Sequence, residues 1–295
     1  MTRYEKIMQK LKENGRILID GATGTEVERR GVPPVENAWN GGGALTHPDI
    51  LRQIHEDYID LGAQIVISNT FATSKYVLEE AGWDAHFDVL NRKGVTLAIE
   101  ARDNKNKPDV LVAAGLAHWA WTTDPPLHKL RSDTEEQVAI MAEAGADLFM
   151  LEMMHMLDRT LILIEAAQET GLPVWVGFSV RNHEDGIVRL LSGEPLADAL
   201  AAIQDKNIPL VSIMHSQVEY IDAALAVVKE NWAGNVGVYA HSGAHIDDRW
   251  RYEDVISPAE YAQECEKWLE QGVQMIGGCC GIGTNHIAEL AKIQL

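Results

Sequence analysis

Short apolar runs rich in Val, Ile and Leu recur along the chain, and each is followed by a longer segment whose apolar residues keep helical spacing. Continuous apolar runs are how strands buried on both faces read, and their alternation with helices is the pattern of parallel βα units. Eight strands are expected, at Arg16–Ile19, Gln64–Ser68, Val110–Ala114, Asp147–Leu151, Val174–Phe178, Pro209–Met214, Val236–Tyr239 and Val273–Ile276. Helices are expected at about His47–Leu61, Asp84–Arg102, Thr134–Ala144, Leu157–Thr170, Pro195–Gln204, Gln217–Asn231, Pro258–Gln271 and Thr284–Ile293. Thr46-His47-Pro48 and Ser257-Pro258 supply cap candidates with an early proline, and Gly145, Gly171 and Gly272 stand where helices must stop. With no break in composition, these units predict an α/β fold, a single (β/α)8 TIM barrel over residues 1–295, with an open doubly wound sheet as the alternative.

The longest irregular stretches, Glu28–Thr46, Leu116–Asp133 and His241–Ser257, all follow strands. In a barrel such loops emerge on the C-terminal face, where the active site lies, so function is sought at strand ends. Those ends read Asp20-Gly21-Ala22-Thr23-Gly24-Thr25, Ser68-Asn69-Thr70-Phe71, His118-Trp119, Glu152, Ser179, His215, His241 and Gly277-Gly278-Cys279-Cys280-Gly281.

Cys279 and Cys280, between glycines, are the sharpest feature. Thiolates are zinc ligands, and residues without a Cβ let the backbone bend so that neighbouring side chains converge on one ion. A catalytic zinc takes three protein ligands and leaves one position open; His215 is the best third ligand, with His241, His118 and His245 as competitors. Two cysteines can also be small buried apolar residues, and Cys265, within a helical segment, is read that way. The Asp20–Thr25 turn presents backbone N–H groups suited to a carboxylate but lacks the Gly-Lys-Ser/Thr end of a phosphate loop. Glu152 and Asp20 together suit an ammonium group, or merely face water.

Composition narrows the partners. With 25 Lys+Arg against 44 Asp+Glu, the net charge of −19 disfavours nucleic acid and anionic membranes. No apolar run approaches the ~18 residues of a membrane span, and the N-terminus shows no secretory signal. Three cysteines, two of them adjacent, form no disulfide framework, so a reducing cytoplasm is the expected setting. The oligomeric state stays open.

The segments Leu18–Gly31, Gly62–Tyr76, Asp147–Glu152, Val174–Val180 and Gly277–Ile287, above all Gly-Gly-Cys-Cys followed by Thr-x-His-Ile, resemble the homocysteine S-methyltransferase family. The resemblance implies a zinc barrel whose last two metal cysteines correspond to Cys279 and Cys280. Where the family has Asn-Cys after strand six this chain has Met214-His215, and the family's Tyr-Pro-Asn-Ser-Gly becomes Tyr239-Ala240-His241-Ser242-Gly243. It further implies that Asp20 and Glu152 bind the amino group of a homocysteine-like thiol, that Gly21, Ala22, Thr23, Gly24 and Thr25 receive its carboxylate, and that Asn69 lies in the same pocket. Zn2+ held by His215, Cys279 and Cys280 would deprotonate the thiol for attack on a methyl group. The expected donor is a small onium compound such as S-methylmethionine or betaine, not a folate; Trp39, Trp119 and Trp121 are the aromatic candidates for holding it. A diverged member with another substrate, hydrolysis on a Cys2His zinc, or a barrel that binds without catalysis are the alternatives.

Overall fold

The computed structural model describes residues 1–246, 249–251 and 254–293. Eight parallel strands form one sheet: β1 (Ile17–Leu18), β2 (Ile65–Ile67), β3 (Leu111–Leu116), β4 (Leu148–Met154), β5 (Val174–Phe178), β6 (Leu210–Gln217), β7 (Asn235–His241) and β8 (Met275–Ile276). Each pairs with the next in chain order, β8 returns to β1, and a parallel bridge between Ile19 and Ile65 joins β1 to β2, so the sheet is a barrel. Successive side chains of a strand point to opposite faces, which divides the core in two. Ile17, Ile19, Ile65, Ile67, Leu111, Ala113, Leu148, Met150, Trp175, Leu210 and Met275 fill the lumen, while Leu18, Val66, Val112, Phe149, Leu151, Val176, Val211 and Val238 face the surrounding helices. No helix among the described residues is long and apolar enough to cross a membrane.

All eight expected strands are present, and the differences lie around them. The helix Arg3–Lys12, absent from the sequence reading, starts from a Thr2–Glu5 capping box and inserts Ile7 and Leu11 against the lumen residues. The Trp175 indole N–H donates to the Tyr4 hydroxyl at 3.2 Å, and this helix thereby stoppers the N-terminal end of the barrel. The Asp20–Thr25 segment is a turn only as far as Ala22, because a helix begins at Thr23 and runs to Arg29. The helix expected from Thr134 begins at Leu127, directly after Pro126, so the loop after β3 is correspondingly shorter. Strands β4 and β6 run past their expected ends through register shifts between Leu151 and Met154 and between Met214 and Gln217. Within these bulges Met153 and His215 have φ of 57° and 42°. Bulges of this kind re-aim side chains, and both occur at the mouth of the barrel.

One buried group makes stability pH-dependent. His55, in the helix Pro48–Asp60, is fully buried with neither ring nitrogen hydrogen-bonded, and burial pushes its imidazole down to about 4. The unfolded chain binds this proton below about pH 6.5 and the folded chain does not, so the contribution is complete above that pH and is lost as the pH falls towards 4. Between pH 7 and pH 5 His55 should therefore cost about 2 kcal/mol of stability. Urea unfolding of wild type and His55→Leu at both pH values checks this: the variant should lose less on acidification, and equal losses would contradict it.

Candidate active site

The three sequence-nominated metal ligands converge at the C-terminal mouth. Nδ1 of His215 lies 3.5 Å from Sγ of Cys279, the two sulfurs are 4.0 Å apart, and the ligand atoms of His215, Cys279 and Cys280 all lie within 4.8 Å of one another. Zinc–sulfur and zinc–nitrogen bonds of about 2.3 and 2.0 Å in a tetrahedron require edges of roughly 3.5–3.8 Å. The 3.5 Å nitrogen–sulfur spacing matches such an edge and the 4.0 Å sulfur–sulfur spacing is slightly longer. Among the described residues this is the one His, Cys, Asp or Glu group so arranged.

Local structure explains the convergence. Cys279 hangs from β7 through its N–H, which donates to the Ala240 carbonyl at 2.9 Å, and Gly278 N–H donates to Asp20 O at 3.1 Å. Gly281 adopts φ +83°, where an added Cβ would meet the Ser242 carbonyl oxygen at 2.0 Å, so the chain can turn beneath the cysteines only with glycine there. His215 reaches them because the β6 bulge turns it out of the ladder. The hydrogen bond from the Cys279 thiol, helped by His215 and opposed by burial, pulls Cys280 down to about 5, while the same bond and burial push Cys279 up. The two shifts are opposite in direction, as expected of neighbouring thiols that share one hydrogen bond.

His241 and His118 are not part of this group. The His241 ring packs against that of His215 with centroids 4.5 Å apart, and burial, with His215 adding to it, holds its imidazole down at about 3. His118 is fully buried against His155, centroids 4.5 Å apart. The side chain of His245 lies outside the described residues.

Asp20 and Glu152 occupy the floor beside the cysteines. Asp20 is buried and its Oδ2 accepts from Ile67 N–H at 2.7 Å; burial, and next to it the Glu152 charge, raise its carboxyl well above the usual range. Burial, with the Cys280 thiolate adding to it, pushes Glu152 up to about 8. Gly115 leaves the room for this carboxylate, since a Cβ there would stand 2.8 Å from Glu152 Oε2. Two acids that disfavour each other's ionisation in a water-poor pocket are stabilised as carboxylates together by a cation between them.

The nominated carboxylate-binding segment is divided by the structure. Ala22 N–H donates to Ile282 O at 3.0 Å and is occupied, and Gly21 is packed under Ile282 and Tyr58. Thr23, Gly24 and Thr25 open the helix as its first three residues, whose N–H groups have no intrahelical acceptor. Thr23 and Gly24 are partly exposed, and the buried Thr25 hydroxyl makes no hydrogen bond. Asn69 is buried with its amide donating to Asn40 O at 3.0 Å, so in this state it braces the loop over the pocket.

Of the tryptophans, Trp39 leans on Gly24 and its indole N–H donates to Glu28. Trp119 and Trp121 belong to an aromatic wall: they meet edge to face at 6.3 Å, Trp121 meets Phe71 at 6.5 Å, and Trp119 meets His155 at 5.4 Å. Trp119, Phe71 and Cys279 all pack against the lumen residues. Phe71 is read from the sequence only as part of the Ser68–Phe71 strand end, without a role, and His155 is not singled out. The signal for His155 is its position one residue past the true end of β4, which the reading placed at Leu151.

Against known proteins, the homocysteine S-methyltransferase sequence profile matches residues 17–294. The chain belongs to the homocysteine S-methyltransferase family. This methyltransferase is 26% identical to homocysteine S-methyltransferase YbgG of Bacillus subtilis over 93% of each chain. It is also 26% identical to a selenocysteine Se-methyltransferase of Brassica oleracea, over 98% of this chain and 92% of that one. The crystal structure of the Escherichia coli homocysteine methyltransferase MmuM in its metallated form superposes with a TM-score of 0.80 at 24% identity, covering 95% of this methyltransferase and 97% of that chain, which bears on the fold.

Proposed function

We propose that this enzyme moves a methyl group from a small onium donor to the thiol of homocysteine or a closely related amino-acid thiol, on zinc held by His215, Cys279 and Cys280. The observation that carries the proposal is the convergence of these three ligand atoms beside the Asp20–Glu152 floor. Names of relatives support the acceptor: both homocysteine and selenocysteine methyltransferases are among them. Zinc bound there would act as a Lewis acid that lowers the pKa of an incoming thiol and leaves it a thiolate at neutral pH.

The chain's own residues do the rest by positioning. Asp20 and Glu152 take the acceptor's ammonium group, and the N–H groups of Thr23, Gly24 and Thr25 take its carboxylate, which directs the sulfur towards the cysteines. Trp119, Trp121 and Phe71 form a contiguous aromatic group whose ring faces would attract the donor's positive centre, each contact contributing about 0.5–2 kcal/mol. The leaving group is a neutral sulfide or amine, so no acid is required to protonate it.

The proposal is tested by incubating purified, metal-assayed enzyme with homocysteine and, separately, S-methylmethionine, betaine and a methylated folate. Methionine should form with an onium donor. Activity restricted to the folate would overturn the donor class, and zinc-loaded enzyme inactive with every pairing would favour a diverged substrate.

A further inference from the structure

We infer that His241 is a positioning residue for the metal ligand: its imidazole, packed on the ring of His215 and hydrogen-bonded to the His215 backbone, holds His215 in the left-handed conformation from which Nδ1 reaches the two sulfurs. The inference rests on the zinc reading above but concerns a side chain outside the ligand group.

The geometry makes the need plain. His215 is a non-glycine residue at φ 42°, a conformation that an L residue keeps only where its surroundings enforce it. The enforcement on either side of His215 is visible. Ser216 Oγ donates to the Met214 carbonyl at 2.9 Å and accepts from Val180 N–H at 2.9 Å, and the Gln217 amide donates to Gly243 O at 3.0 Å. The β6–β7 ladder pairs Met214 with Tyr239 and resumes only at Gln217 with His241, so the bulge takes His215 out of the register.

His241 supplies what the ladder does not. Its ring, 7% exposed, lies with its centroid 4.5 Å from that of His215 at an interplanar angle of 52°. A ring N–H of His241 is also within hydrogen-bonding reach of the His215 peptide oxygen. A bond from the tip of a side chain to the peptide of a metal ligand fixes the ligand's orientation without touching the metal, and loss of such a partner typically weakens metal binding about ten- to a hundredfold.

Three replacements separate the bond from the packing. His241→Phe keeps a ring and loses the donor, His241→Met fills the space without ring or donor, and His241→Gln places an amide N–H at about the reach of the imidazole N–H. Zinc affinity is read by competition with a chelator, and the ligand set by zinc X-ray absorption. The Phe and Met variants should bind zinc at least about tenfold more weakly and lose signal from the nitrogen ligand, with Gln restored to within about threefold of wild type. Circular dichroism identifies a variant that has not folded, and the remaining non-donor variant then decides. Wild-type affinity with an intact nitrogen ligand in a folded Phe or Met variant would overturn the inference, as would a Gln variant no better than Phe. Wild-type protein that binds no zinc overturns the zinc reading instead, and that result is in hand before any variant is compared.

Discussion

On the zinc reading proposed above, replacing Cys279 or Cys280 by Ala should remove the metal and abolish methyl transfer while leaving the barrel folded. Cys279 is only partly buried, and Cys280, although buried, lies in the turn before Gly281 rather than within a strand or helix, so alanine should be tolerated at either position. Both supply one edge of the ligand triangle, and with one gone, two protein ligands remain for a metal that needs three. Partners that merely orient ligands are worth about ten- to a hundredfold in affinity, so losing a ligand itself should exceed about a hundredfold. His215→Ala should act in the same direction, whereas His215→Cys, which returns the third position to a thiolate, should keep the metal. Metal analysis and thermal unfolding of the purified variants check this, and full zinc retention in both alanine variants would remove the site.

The second large effect is expected at Glu152. If this carboxylate holds the acceptor's ammonium group, Glu152→Gln deletes a charge-assisted hydrogen bond of about 1.5–3 kcal/mol, and the KM for homocysteine should rise roughly ten- to a hundredfold. The direction of the pH dependence follows from the shift. Burial holds Glu152 at about 8, so below that pH a proton occupies the carboxylate and must leave before a cation binds. Acceptor KM should therefore fall as the pH rises from 6 towards 8 in the wild type, and this slope should be shallower in Glu152→Gln, which leaves only Asp20 to titrate there. Steady-state kinetics across that range decide it; an unchanged KM with every thiol would release Glu152 from the role.

What could be read from the sequence, and what could not, follows from the range over which each feature is encoded. The strands were legible because a strand buried on both faces must be apolar along its whole length, as Val174–Phe178 and Leu111–Leu116 are. Cys279, Cys280, Glu152 and His215 were legible because they lie at or just beyond those strands, where a barrel puts its chemistry. The stopper helix Arg3–Lys12 was hidden because only Ile7 and Leu11 are buried on an otherwise charged segment. The bulges that turn Met153 and His215 to positive φ have no legible signature, since methionine does not favour that conformation and a lone histidine, although it adopts it more readily than most residues, does not announce a bulge. The stacking of His241 on His215, and the aromatic wall of Phe71, Trp119, Trp121 and His155, depend on neighbouring strand ends far apart in the chain. Nothing local announces such contacts.

The central claim is that an acceptor thiol is activated at a mixed histidine and cysteine zinc site, and zinc X-ray absorption with and without homocysteine tests it most directly. The account predicts one nitrogen and two sulfur ligands from the protein alone, at about 2.0 and 2.3 Å, and a third sulfur when homocysteine is added. A spectrum without a nitrogen ligand, or one whose sulfur count stays the same when the thiol is added, would contradict it.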